Sequence, residues 1–295
     1  MHSYLRAIGF GDVIASEHEA EVLLDNLFHT YDERNAVKEE TGNRAFIELS
    51  KSFGPNIGIR ICGEMDEYGF HRQYYYPYLN GSGVTSEEDV SVEKHGNGNG
   101  YSVMVDDGRV GISLICFLQN PGRFRKESFR GQIRKKRVTT TLSGLSLEGT
   151  ILLPVDKKQG NEENYGMEYY RKHDSLVTEA KNGSQEAIES LTMEDMDTYA
   201  MISRRILNED VLTIVETYFM PYGLESDQYQ ILGTILFYTK VFNSFTQETL
   251  YQMTLECNGM TFDICINQKD LLGDPEAGRR FKGNVWLQGK LNFLE

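Results

Sequence analysis

The sequence lacks the short motifs that mark common catalytic and cofactor sites. It contains no HExxH zinc pattern, no GxSxG nucleophile turn and no GxGxxG dinucleotide loop. The glycine-rich run His95 to Gly100 is followed by strand-like residues and lacks the Lys-Ser/Thr of a nucleotide loop, which predicts a hairpin connection. We therefore expect no cofactor, and the missing motifs favour a non-catalytic protein over an enzyme.

Cysteine and long apolar runs are also scarce. The four cysteines form no CxxC pair and have no histidine at zinc spacing, so we predict no metal site and reduced, buried thiols at Cys62, Cys116, Cys257 and Cys265. No run approaches the ~18 apolar residues of a membrane span. The first residues lack the apolar core of a signal peptide. We expect a cytoplasmic protein with no membrane partner.

Basic residues are fewer than acidic ones. The chain has 30 Lys and Arg against 44 Asp and Glu, a formal net charge of −14 over 295 residues. Such a field disfavours nucleic acid and anionic membranes over most of the surface. With 40% apolar and 25% charged residues, the composition is that of an ordinary globular protein.

A capping box signals the first helix. The Ser16 hydroxyl can accept a free amide of the first turn, and Glu19 can reach back to the Ser16 amide. Apolar residues then recur at spacings of three and four as far as Tyr31, as one face of a helix requires. The polar residues 32–43 are predicted to form a loop.

Apolar patterning with a period of two predicts strands over residues 44–154. Residues 110–118 alternate in this way, and Asp107-Gly108 before them is a hairpin signal because glycine accepts a positive φ. We expect this turn to join them to a partner strand at residues 101–105.

A second helical block follows the polar residues 156–164, which are the best candidate linker. One helix is predicted over about residues 162–181. Gly183 is typical of a helix end, and Ser184 can cap a further helix. From residue 210 onward the pattern is strand-like again.

The two halves read in the same order, helix then sheet, and their predicted hairpins align at an offset of 150 residues. We predict an α+β fold of two similar halves, in which each has a helix or helices followed by an antiparallel sheet. The units are residues 1–155 and residues 156–295, the second with a larger helical insertion. Chance is the alternative, because any two amphipathic hairpins share alternation. The aligned residues are Tyr101, Val103, Val105, Val110, Ile112 and Leu114 with Tyr251, Met253, Leu255, Met260, Phe262 and Ile264.

Positive charge is concentrated between residues 123 and 137, with eight basic residues against one acid. The duplication would make residues 273–283 the equivalent basic loop. Lys and Arg bind phosphates and carboxylates through charge-assisted hydrogen bonds. Self-neutralisation against the acidic surface is the alternative. The candidate binding residues are Arg123, Arg125, Lys126, Arg130, Arg134, Lys135, Lys136, Arg137, Arg279, Arg280 and Lys282.

Two further clusters carry less specific signals. Four tyrosines between residues 74 and 78 can stack on a sugar or a partner, but tyrosine is also an ordinary strand residue, and we predict strand core or strand surface. An acidic cluster has the side chains of a metal or acid–base site at a spacing that matches no established motif, so we predict a turn between strands. Its members are Glu64, Asp66, Glu67 and His71.

Four long strings resemble a family of uncharacterised proteins from anaerobic Firmicutes, catalogued as domain of unknown function 3881. They are MHSYLRAIGF (1–10), LTMEDMDTYAMISRRI (191–206), IVETYFMPYGLESDQYQILG (214–233) and GRRFKGNVWLQGKLNF (278–293). The resemblance spans nearly the whole chain. It implies a bacterial cytoplasmic protein, and it carries no activity or catalytic residue that could be mapped.

Our leading hypothesis is a non-catalytic binding or adaptor protein that contacts an anionic ligand or acidic partner through the basic loops. A second hypothesis is an immunity-type or inhibitor protein whose acidic surface binds a basic toxin or nuclease. A third is a hydrolase or transferase with its site between the two halves. A deep pocket with several perturbed ionisable groups would favour the third over the first.

Overall fold

The structure, a computed structural model, is built mainly from two β-sheets. The described residues are 2–11, 13–14, 16–38, 44–95, 100–129, 137–155, 175–176, 178–180, 182–193, 196, 212 and 215–294. The described helices include the α-helices α1 (Glu17–Thr30) and α2 (Pro121–Phe129) and the 3₁₀ helices Ser3–Ile8 and Gln268–Asp270. None of the described helices is long and apolar enough to cross a membrane.

The smaller sheet is an antiparallel meander of four strands, in the order β1 (Glu33–Lys38), β2 (Ala45–Gly54), β3 (Ile57–Asp66) and β4 (Gly69–Leu79). The larger sheet has ten strands. They are β5 (Val90–Lys94), β6 (Tyr101–Val105), β7 (Leu114–Leu118), β8 (Val138–Leu152), β9 (Tyr218–Pro221), β10 (Gln228–Phe242), β11 (Thr249–Cys257), β12 (Met260–Asn267), β13 (Leu271–Leu272) and β14 (Arg280–Phe293).

Five strands of the larger sheet close into a ring. Strand β8 pairs with β12, β12 with β11, β11 with β10, β10 with β14, and β14 returns to β8. Two glycines of β8 permit this closure: a Cβ at Gly144 would overlap Val285, and one at Gly149 would overlap Phe281. Apolar side chains from all five strands fill the ring, among them Leu142, Ile231, Leu255, Phe262 and Val285.

A second core lies between the ring and the smaller sheet. The predicted capping box is confirmed: Ser16 Oγ accepts from the Glu19 amide at 3.2 Å, and Glu19 Oε2 accepts from the Ser16 amide at 2.9 Å. The apolar face of α1 is buried in this core through Ala20, Leu23, Leu24 and Leu27. Outward-facing ring residues such as Trp286 and Cys265 complete it. All four cysteines are buried and free, as predicted.

The predicted α+β fold of two similar halves is wrong. The described structure is mostly β, and strands from both sides of residue 156 share the larger sheet, where β8 and β14 pair directly. The matched apolar pattern reflects alternation, which all half-buried strands share. The predicted linker at residues 156–164 lies outside the described part of the chain.

The predicted hairpin is confirmed in its pairing, because β6 pairs antiparallel with β7, but the tight turn predicted at Asp107-Gly108 is wrong. Residues 108–113 form turns and bends, and β7 begins only at Leu114. The Asp107 carboxylate instead accepts from the Ser86 hydroxyl at 2.7 Å and from Arg109 Nε at 2.8 Å, which ties two loops together. Residues 110–113 lie outside a strand, whereas residues 260–263, to which they align at an offset of 150, belong to β12. The alignment therefore matches turn residues with strand residues.

Two local predictions need a similar correction, and one is confirmed. The predicted loop at 32–43 contains the edge strand β1, whose side chains are mostly exposed and therefore polar. Residues 123–129, expected as part of a basic loop, belong to α2. Ser184 caps the helical residues 185–193 as predicted, because its hydroxyl accepts from the Ala187 amide at 3.3 Å.

A buried polar network joins the two sheets. Gln119 Nε2 donates to Gln288 Oε1 at 2.6 Å and to the Leu79 carbonyl at 2.8 Å. Gln288 Nε2 donates to the Pro77 carbonyl at 2.8 Å. Both glutamines are almost fully buried, so each bond is made without competition from water. The network therefore fixes the position of β4 against β14.

We predict that Gln288→Ala lowers the free energy of unfolding by about 2–4 kcal/mol, because it leaves a cavity and buried polar groups without partners. Urea unfolding followed by circular dichroism measures this loss. The matched control Gln185→Ala, at an exposed helical position, should stay within about 0.5 kcal/mol of the wild type. Equal losses of unfolding free energy in the two variants would show that the buried network does not stabilise the fold.

Candidate functional site

The structure splits the first basic segment into exposed and structural residues. Arg123 and Lys126 are exposed on α2. Arg125 turns inward, where its guanidinium lies 4.2 Å from the centre of the Phe46 ring and its Nε donates to the Tyr101 hydroxyl at 2.8 Å. Four further candidates, Arg130, Arg134, Lys135 and Lys136, lie outside the described residues.

The exposed residues of this segment lie at one end of the β8–β14 ladder. Arg123 lies 5.9 Å from the ring centre of Phe293, the residue that pairs with Val138. The Arg137 carbonyl accepts from the Leu294 amide at 3.1 Å. Both arginines also contact acids: Arg137 pairs with Glu87, and Arg123 Nε lies 3.9 Å from Glu127 Oε1. Part of this positive charge is thus locally neutralised.

The second basic segment contains one buried arginine. Arg280 donates to the carbonyls of Leu153 and Val215, both at 3.0 Å, and its role is structural. Burial lowers its pKa from the usual value for arginine. Arg279 is ion-paired with Glu276 at 2.6 Å. Lys282 lies half-buried in β14 and not in a loop.

The structure does not bring the two basic segments together. Arg280 pairs with Leu152 at one end of the β8–β14 ladder, and Phe293 pairs with Val138 at the other. With about 3.3 Å per residue, these ends are separated by roughly 40 Å of strand. The expected basic edge, with two matching loops, is therefore not formed by the described residues.

A pocket of about 490 Å³ lies at the open edge of β4. Among the described strands of the smaller sheet, β4 pairs only with β3, and five consecutive residues of β4 line this space. Its lining residues are His2, Arg72, Gln73, Tyr74, Tyr75, Tyr76 and Phe117. The walls are mainly aromatic, and the polar groups of Arg72 and Gln73 lie at exposed positions.

Two residues that line this pocket, His2 and Phe117, pack against Trp286. The rings of His2 and Phe117 lie 4.7 Å and 5.2 Å from that of Trp286, the single tryptophan. Trp286 Nε1 donates to Asp227 Oδ2 at 2.8 Å, so the indole orientation is fixed by a buried carboxylate. The Tyr75 hydroxyl accepts from the His2 amide at 3.1 Å, which holds the histidine over the indole.

Burial shifts the pKa values of three ionisable groups in this region. Burial lowers the pKa of His2 from 6.5 to about 4, and its Nδ1 is buried without a hydrogen-bond partner. Burial raises the pKa of the Tyr74 hydroxyl well above its usual range. It also raises the pKa of Asp227, although the bond from Trp286 opposes the shift. His2 and Tyr74 are therefore neutral at pH 7.

The tyrosines are strand residues, as predicted: three are buried in the second core and Tyr75 is half-buried. In the acidic cluster, His71 Nε2 lies 3.1 Å from Asp66 Oδ1 at the β3–β4 turn. Among the described residues, no group of three His, Cys, Asp or Glu side chains is placed to hold a metal ion. Glu64 of the same cluster is paired with Arg44 at 3.6 Å, so the acidic cluster surrounds a turn and two of its acids have surface partners.

The pocket residues were not identified from the sequence, except for the tyrosines. His2, Phe117 and Trp286 come from three distant segments, and no local pattern links them. The sequence offered one signal for this region, its single tryptophan, because a tryptophan that is buried needs a hydrogen-bond partner for its N–H. Asp227 is that partner.

We predict that His2 makes stability depend on pH. The unfolded chain binds a proton near pH 6.5 and the folded one only near pH 4, so this contribution is complete above pH 6.5 and is lost as pH falls to 4. Relative to His2→Phe, which keeps a ring over Trp286 and does not titrate, the wild type should lose about 2–3 kcal/mol between pH 7 and pH 4. Urea unfolding at several pH values measures the difference. A difference that is constant with pH would show that His2 is solvated in the folded state.

Comparison with known proteins identifies the family. No curated protein and no solved structure matches the chain significantly. The model of the family described as "Domain of unknown function, E. rectale Gene description (DUF3881)" matches residues 5–289. This match covers nearly the whole chain and agrees with the resemblance of its four long strings. The chain therefore belongs to the DUF3881 family of domains of unknown function.

Proposed function

We propose that this protein is a non-catalytic binding protein whose aromatic pocket holds a small planar ligand that carries an anionic group. The observation that carries the proposal is a concave pocket with aromatic walls, in which His2 and Tyr74 are neutral at pH 7 and Arg72 supplies a positive charge. Concave surfaces that combine aromatic side chains with a small number of convergent polar groups are common small-molecule sites.

The walls favour a flat ligand. Tyr76 and Phe117 pack edge to face at 4.7 Å, and the rings of Tyr75 and His2 lie 6.4 Å apart. Aromatic side chains of this kind hold planar rings by stacking and edge contacts, with little loss of side-chain entropy.

The chemistry of the walls supports binding rather than proton transfer. A general acid or base works best when its pKa lies near the pH of the reaction. Burial moves the pKa of His2 to about 4 and moves the pKa of Tyr74 in the opposite direction. Neither group can exchange protons efficiently near neutral pH, whereas both keep their capacity for stacking.

Arg72 provides the preference for an anion. It lies at the pocket and is paired with Glu21, and both side chains are partly exposed. Exposed ion pairs contribute only ~0–1 kcal/mol, so a ligand carboxylate or phosphate can replace Glu21 at small cost. This replacement would add a charge-assisted hydrogen bond to the ring contacts.

Titration of the Trp286 fluorescence with benzoate and with benzamide tests this proposal. The two probes share a ring and differ in charge. We expect both to quench the indole, with benzoate bound several-fold more tightly. Tyr75→Ala should weaken both probes, and Arg72→Gln should remove only the preference for benzoate. The control Arg279→Gln, which alters an ion-paired arginine outside the pocket, should change neither. Quenching that is absent, or equal in all variants, would overturn the proposal.

A second candidate function is docking of an anionic partner at the exposed basic residues of the first segment. Arg123 and Arg137 lie at one end of the β8–β14 ladder, and Lys126 is exposed on the same helix as Arg123. The sequence between them adds four more basic residues. A polyanion would replace Glu87 as the partner of Arg137, because both side chains of that ion pair are exposed and the pair is therefore weak.

Retention on immobilised heparin, a polyanion, tests this candidate. We expect the wild type to be retained at low salt despite its net charge of −14. The double variant Arg123→Glu/Lys126→Glu should elute at clearly lower salt than Arg279→Glu/Lys282→Glu, which changes the net charge equally at other positions. A wild type that flows through, or two variants that elute together, would remove the basic surface as a site.

A further inference from the structure

Part of strand β10 has an open edge. Its first half pairs with β14 as far as Thr234, and the backbone of Ile235 then bonds to Gly278 and Arg279. From Phe237 to Phe242 it pairs with β11 on one side. Within the described part of the chain, no strand pairs with the other side of these residues. The Phe242 carbonyl lies against Gly54 at the end of this edge, and the backbone groups before it are available to another strand.

The open edge carries large apolar side chains. Their exposed fractions are far above those of core residues: Leu236 49%, Phe237 63%, Tyr238 38%, Phe242 54% and Phe245 60%. A sheet edge in a monomer is usually protected by charge, by proline or by short length. Here the run from Leu236 to Ser244 contains one basic residue, Lys240, and no acid, in a chain with 44 acidic residues.

We propose that this edge, residues 236–242, pairs with the same edge of a second copy of this chain, antiparallel and about a twofold axis at Thr239. This register places Phe237 opposite Val241 and Tyr238 opposite Lys240. An axis at Lys240 would instead set two ammonium groups against each other, which is unfavourable. Lys240 already lies 5.9 Å from the ring centre of Tyr251, so a second aromatic ring extends an existing contact.

The apolar side chains of the patch supply more than half of the area that a stable dimer buries. Large apolar side chains bury about 150–250 Å² each, so five of them at roughly half exposure offer about 500 Å² per copy. The strand backbone and its flanks add to this, and a stable interface needs about 800 Å² per partner. The pairing also satisfies the open backbone groups, as closed twofold dimers commonly do.

Charge gives the dimer a particular salt dependence. Each copy carries −14, and this charge lies outside the patch, so two copies repel each other at long range. Salt screens that repulsion and leaves burial of apolar area intact. We therefore expect the dimer to become tighter as salt increases, which is opposite to an association through ion pairs.

Sedimentation equilibrium in low and high salt tests the proposal. The wild type should form dimers, with a lower dissociation constant in high salt. Phe237→Glu should be monomeric, and the control Leu272→Glu, at an exposed leucine of β13, should remain dimeric. A monomeric wild type in high salt, or a dimeric Phe237→Glu variant, would overturn the proposal.

A cross-linking variant tests the register and does not depend on the stability of Phe237→Glu. Because the four native cysteines are buried, Thr239→Cys introduces one accessible thiol. At a twofold axis the two new thiols lie opposite each other at disulfide distance. Mild oxidation with copper phenanthroline should give a covalent dimer of Thr239→Cys and none of Thr261→Cys, an exposed position on β12. Failure of Thr239→Cys to cross-link in a folded dimer would contradict this register.

Discussion

The pairing of β8 with β14 is the constraint on which the rest of the structure depends. The paired residues extend from Arg280 with Leu152 to Phe293 with Val138, and the register shifts once, at Asn284/Val285. It closes the five-stranded ring and joins segments that are far apart in sequence. It also sets the separation of the two basic segments, because one adjoins each end of the ladder.

The same strand creates the pocket. Side chains alternate along β14, so Val285 and Leu287 fill the ring while Trp286 faces the smaller sheet. Gln288, two residues beyond Trp286, bonds to Gln119 and to the carbonyl of Pro77 in β4. The buried network therefore holds the tyrosine-bearing edge strand over the indole. The pocket on the outside of the ring therefore depends on packing that the ring itself requires.

Local structure was predictable where a local interaction decides it. The Ser16 capping box and the amphipathic face of α1 are set by neighbouring residues, and alternation identified most strands. Pairing depends on partners more than a hundred residues away, and alternation carries no information about it. Helix α2 was not predicted, because its many charged residues were interpreted as part of a basic loop. Pro121 is nevertheless typical of a first helical position. The pocket was missed for the same reason as the pairing, since His2, Phe117 and Trp286 meet only after the sheets have packed.

Native-state hydrogen exchange, followed by mass spectrometry or NMR, tests the central role of this ladder most directly. If β8 and β14 form one closed unit, the amides along both strands should exchange through the same opening reaction, with a free energy close to that of global unfolding. The central amides on the two strands should also lose protection together as denaturant is added. Separate opening of the segments before and after residue 156, with β8 exchanging at a lower free energy than β14, would contradict the account.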